Sequence, residues 1–170
     1  MTPIARRALI VAFAIAPISR LAHAVDALPD ARFVGFAETV NDFEIQSGQL
    51  ALSKSSNELV RGYATRAIAE HTAAAQSLSR NRSEAGVSMA PDEEVRAIAE
   101  DAMTRLKSLQ GTEFDTAFAA AQLRVQAVTV AQYGAYSGNG KSGPLRRYAT
   151  EALPKQEALL EFAKRLAGSR

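Results

Sequence analysis

The sequence predicts an all-α fold, an antiparallel four-helix bundle of ferritin-like type with one extra short helix. Three observations predict it. Apolar residues recur at i, i+3/i+4 and i+7 through four long stretches. Gly, Pro and Ser-Asn breaks separate those stretches. No segment alternates β-branched and polar residues with a period of two, so no strand is expected.

The elements follow in order. Residues 25–30 read as a linker, with Asp30 placed to cap the first helix. That helix is expected over 31–54, with a stripe of Phe33, Ala37, Val40, Gly48 and Ala51 and a polar segment (Asn41, Asp42, Glu44, Gln46) in its middle. Ser55-Ser56-Asn57 ends it and is short enough to turn the second helix, 58–83, back alongside the first. Val60, Tyr63, Ala67, Ala74 and Leu78 form the second stripe, with Glu70 and His71 at its edges.

Gly86 to Pro91 breaks the chain. Asp92, Glu93 and Glu94 then complement the dipole of a short third helix ending near Ser108. Gly111 stops it, and Thr112 is the expected cap of a fourth helix over 113–137 with a stripe of Phe114, Phe118, Ala121, Val125, Gln132 and Tyr136. Gln122 and Gln126 flank that stripe. Pro144 opens the last helix, expected to Ala167, with Leu145, Ala149, Ala152, Gln156, Leu160 and Ala163 facing inward. Pro154 removes a backbone donor there, so a kink after Leu153 is expected. Residues 31–167 make one domain, a size that suits a single core.

Residues 1–24 read as a secretory signal peptide. Arg6 and Arg7 form the basic start, Ala8 to Ala16 an apolar run too short to span a bilayer, and Ala22-His23-Ala24 the small-residue cleavage site. The Arg pair also raises the twin-arginine route, although Ala5 and Ala8-Leu9 are not its flanks. Export to the periplasm or envelope, with cleavage after Ala24, is the expectation. Loss of that segment removes three Arg and no acid, taking the formal charge from +2 to −1. With no basic stripe and no aromatic platform remaining, nucleic acid is not an expected partner.

Cysteine is absent, which excludes disulfides, thiolate metal sites and thiol nucleophiles. The loop Gly138 to Gly143 contains Gly140-Lys141-Ser142, but the phosphate-loop pattern needs glycine where Ala135 stands, and a strand before it. Nucleotide binding is therefore not expected.

The chemically suggestive residues are few. Glu44 lies on an inward face of the first helix, and Glu70 and His71 are adjacent on the second. The plain structural role for Glu44 is a partly buried carboxylate bonded to a neighbouring helix. For His71, the single histidine outside the leader, it is a boundary imidazole paired with an acid. No nucleophile or cleft is marked for general acid–base catalysis, and the chain is not expected to be an enzyme. The Phe33, Phe36, Phe43 and Phe114, Phe118 groups at helical spacing read as core.

Three stretches, Phe33 to Thr72, Gly111 to Gln122 and Leu145 to Ala163, resemble a bacterial family of exported, ferritin-like helical proteins of unknown function, often labelled outer-membrane proteins. The resemblance implies that fold and, by analogy with carboxylate–histidine sites in such bundles, a capacity to hold metal. The family's first-helix glutamate is matched by Glu44 and its acid–His pair by Glu70-His71. Its two further histidines are replaced here by Gln126 and Leu159. A metal site, if formed, would rest on Glu44, Glu70 and His71 with Gln126 beside them, a donor set that implies no cofactor beyond a weakly held divalent cation.

The expected role is a binding or structural module in envelope or stress physiology. The alternatives are a metal-binding or oxidoreductase bundle using Glu44, Glu70 and His71, and a signalling protein that docks on an envelope partner or a membrane surface.

Overall fold

A computed structural model describes residues 25–169, and the segment read as a leader, 1–24, lies outside them. The described residues form five helices and no strand: α1 (Asp30–Lys54), α2 (Glu58–Ala85), α3 (Glu93–Ser108), α4 (Gly111–Asn139) and α5 (Gly143–Gly168). Local chemistry sets most of their ends. Asn57 caps α2 by accepting from the backbone N–H groups of Leu59 and Val60, and Gly86, in the left-handed region at φ 64°, closes it at little steric cost. Asp92 accepts from the Val95 N–H and Ser142 from the Leu145 N–H.

Two caps differ from expectation. Asp30 is the first residue of α1 rather than its cap; its carboxylate accepts from the Tyr136 hydroxyl at 2.5 Å and from the Ser142 N–H at 3.4 Å. A tertiary donor outcompetes the local one. The fourth helix starts at Gly111, ahead of Thr112, and its N-cap Gln110 gives no side-chain bond.

The packing is a ring. α1 lies against α2, α2 against α5, α5 against α4 and α4 against α1, while α3 rests on α1 and α4. Two apolar clusters fill the interior. One gathers Phe33, Phe36, Val40, Leu78, Tyr133 and Tyr148 among others; the second gathers Ala51, Tyr63, Phe114, Phe118, Leu159 and Leu166. Along α1 and α5 the first cluster comes before the second; along α2 and α4 the order reverses. Neighbours in the ring therefore run antiparallel. α5 continues through Pro154 without interruption of the helix.

Most expected stripe positions on α4 and α5 are buried, but Gln122 and Tyr133 are buried in place of Ala121 and Gln132, and Leu159 in place of Leu160. Burial is decided by the partners across the interface, and hydrophobic spacing alone leaves such one-residue choices open.

Close approach fixes the loop before α3. A Cβ on Gly35 would sit 2.0 Å from the Ala90 carbonyl oxygen, so only glycine lets α1 and this loop touch. The Ala90 N–H donates to the Ala31 carbonyl at 2.9 Å, and Arg32 bridges to Asp92 at 2.6 Å. At the other end of α3, the Lys54 ammonium donates to the carbonyls of Leu106, Lys107 and Leu109 at 2.7–3.1 Å, satisfying acceptors that a helix C-terminus leaves open.

Candidate functional site: a buried polar layer

Between the two apolar clusters the ring carries a layer of polar side chains. Asn41, Glu44 and Ser47 come from α1, His71 from α2, Gln122, Gln126 and Thr129 from α4, and Gln156 from α5; all are at most 1 % exposed. Their spacing explains the placement. Residues 41, 44 and 47, and 122, 126 and 129, fall on the same helix faces as the apolar stripes. Each helix thus delivers its polar residue at mid-height.

The layer is wired by hydrogen bonds. His71 Nδ1 lies 2.9 Å from Asn41 Oδ1, an acceptor, which assigns the ring proton to Nδ1 and leaves Nε2 to accept from Gln126 Nε2 at 3.3 Å. Gln126 and Tyr63 also reach to the Glu44 carboxyl. The Gln122 side-chain oxygen lies 2.7 and 2.8 Å from the two Glu44 oxygens, placed to accept a carboxyl proton, and the Gln122 nitrogen donates to Ser47 Oγ at 2.9 Å. The Tyr63 hydroxyl lies 3.3 Å from the Glu44-facing end of that amide.

Both titratable groups are driven to their uncharged forms. Burial, with no cation paired to it, pushes the Glu44 carboxyl up from 4.5 to about 8, against the smaller opposing effect of the bonds from Gln126 and Tyr63. Burial likewise holds the His71 imidazole at about 3 instead of 6.5. At neutral pH the layer thus holds a protonated acid and a neutral imidazole. Three of its atoms, Asn41 Nδ2, Gln126 Oε1 and Gln156 Oε1, are buried without a hydrogen-bond partner.

The expected site residues separate. Glu44, His71 and Gln126 meet in the layer. Glu70 does not join them: its carboxylate is 25 % exposed and pairs with Lys155 of α5 at 3.2 Å. One residue along a helix is a rotation of ~100°, enough to send neighbours to different environments. His71 is wholly buried and faces two amides, not an acid at a boundary. Leu159 is plain core. Among the described residues no three His, Cys, Asp or Glu side chains are grouped to hold an ion.

Asn41, Ser47, Tyr63, Gln122, Thr129 and Gln156 complete the layer, and sequence reasoning does not mark them as site residues. Their signal was present as polar residues recurring at i, i+3/i+4 and i+6/i+7 within apolar stripes.

A family model described as a domain of unknown function, DUF4142, matches residues 18–166. The chain belongs to this family. The match takes in α1 to α4 whole and α5 to Leu166, so the layer is set within the DUF4142 domain. No curated protein and no solved structure matches the chain.

Proposed function

We propose that this DUF4142 protein is an exported four-helix bundle of ferritin-like type, periplasmic or attached to the envelope, that serves as a non-catalytic binding or structural module. The observation that carries the non-catalytic reading is the state of the layer. Glu44 keeps its proton, His71 Nε2 faces an amide nitrogen, and Glu70 is turned to Lys155. Deprotonated ligands must converge for an ion to be held firmly, and this donor set does not fit one. Support for the bundle is the closed ring of α1, α2, α5 and α4; support for export is the leader-like composition of residues 1–24. The envelope role rests on the family resemblance alone.

A second reading, a bundle that binds a divalent cation or runs redox chemistry through Glu44, Glu70 and His71, has one observation in its favour. The unpartnered Gln126 Oε1 is a free acceptor beside His71. Elemental analysis of the purified protein separates the two. The non-catalytic reading expects no stoichiometric metal; a stoichiometric ion that disappears in His71→Ala overturns it. Fractionation of the producing cells tests export on its own: full-length protein retained in the cytoplasm would sink that part.

A further inference from the structure

Where α4 gives way to the turn before α5, two constraints meet at the dipeptide Asn139-Gly140. Packing holds position 140 to glycine. A Cβ there would lie 2.5–2.7 Å from atoms of the Tyr136 ring, and that ring is pinned, since it stacks on Phe33 at 3.7 Å and its hydroxyl donates to Asp30. Asn139 is the last residue of α4 and is exposed. The other three asparagines are engaged: Asn41 with His71, Asn57 with the N–H groups of Leu59 and Val60, and Asn81 with the Ser77 carbonyl and Arg147. The Asn139 side chain makes no such bond among the described residues. It is also the one asparagine followed by glycine, whose missing side chain leaves the backbone nitrogen open to an approaching group.

We propose that Asn139 is a site of spontaneous deamidation gated by the last turn of α4. The Gly140 backbone nitrogen, its proton lost to solvent base, bonds to Asn139 Cγ; the bond from Cγ to the amide nitrogen breaks, and ammonia leaves with a proton from water. Water then adds to the cyclic imide. Opening at Cγ gives aspartate, and opening at the main-chain carbonyl gives isoaspartate. The folded state opposes ring closure twice. The Gly140 N–H donates to the Tyr136 carbonyl at 2.8 Å, and helical ψ at Asn139 turns that nitrogen away from Cγ. Opening of the turn is therefore the gate, and the product favours the open form. α4 has no basic residue in its last turn, so a new carboxylate at 139 faces the negative end of the helix dipole uncompensated. The modification goes beyond the binding-module reading and marks the end of the bundle where Asp30 joins α1 to α4 and α5.

The test is peptide mapping by mass spectrometry of the purified protein held in mildly alkaline buffer without urea, in sub-denaturing urea and in urea that unfolds it. Asn139 is expected to convert before any other asparagine, and at least about tenfold more slowly in the folded protein, because only the fraction with the turn open reacts. The folded rate should be nearly flat in sub-denaturing urea, since a local opening exposes little surface. Tyr136→Phe, which loses the bond to Asp30, and Asp30→Ala should each raise the folded rate about threefold or more and leave the unfolded rate unchanged. Earlier conversion of another asparagine, no conversion of the folded protein, or equal folded and unfolded rates would overturn the proposal. So would a folded rate that climbs steeply with urea or ignores both substitutions. Those results leave metal content and export untouched, so a failure here is distinct from a failure of the functional reading.

Discussion

The aromatic end of the interior and the polar layer beside it are buried to the same degree and held by opposite means. At the aromatic end Phe33 stacks on Tyr136 with ring centroids 3.7 Å apart and meets Tyr133 edge-on at 5.4 Å. The polar atoms there are paired: Tyr133 with Tyr148, and Tyr136 with Asp30. In the layer two ionisable groups lie in the interior without a counter-charge, and amide atoms on Asn41 and Gln126 lack partners. The first region gains from burial of large apolar area. The second loses by it, since desolvation opposes each charge it might carry. What the layer supplies is selectivity of register: a slide of any one helix would put Glu44 or His71 against apolar side chains.

The largest expected effect breaks the aromatic end. Phe33→Ala should destabilise the fold by about 3–5 kcal/mol, read from chemical denaturation, because a wholly buried ring is replaced by a cavity. A loss below about 1 kcal/mol would mean that this end is not the stabilising half.

The next effect belongs to the layer and is a pH profile. Glu44 is raised when folded, so its contribution is full below 4.5 and is lost as pH climbs to about 8. His71 is lowered when folded, so its contribution is full above 6.5 and is lost as pH falls to about 3. Each slope is about 1.4 kcal/mol per pH unit, and between 4.5 and 6.5 the two cancel. Stability should therefore be flat across that window, then drop by on the order of 2 kcal/mol towards pH 8 and by a similar amount towards pH 3. Glu44→Gln should erase the alkaline drop and make stability rise through 4.5–6.5. An unchanged profile in that variant would show that Glu44 is not the group responsible.

A smaller effect sharpens the contrast in polar pairing. Tyr148→Phe leaves the buried Tyr133 hydroxyl without its partner and should cost about 1–2 kcal/mol in thermal or chemical unfolding. Smallest of all is Arg82→Gln at the rim. Its pair with Glu38, 2.6 Å long but more than a third exposed on both sides, should contribute less than about 1 kcal/mol and fade with added salt.

Element boundaries were legible in the chain because their causes are local. Asn57, Gly86, Asp92 and Ser142 act on backbone groups within a few residues of themselves, and the observed ends of α2, α3 and α5 fall within two residues of those expected. Where a distant group intervened the reading failed, as when Tyr136 drew Asp30 away from a capping role. The stripe residues on α1 and α2 were likewise readable, whereas Tyr133 and Leu159 needed the facing helix to select them over their neighbours.

The candidate site was legible only as an ingredient list. Glu44 and His71 stood out by residue type, and Glu70 stood out equally although its side chain turns to Lys155. Sequence by itself determined that the described chain is helical, where each helix starts and stops to within two residues, and which face of it is apolar, because hydrogen bonds, caps and the 3.6-residue period operate within one segment. Tertiary structure alone decided that four helices bring their polar residues to one height and that Glu44 is neutral there. Protonation inside a protein depends on how much water and which dipoles the neighbouring helices leave around a group, and no single segment contains that information.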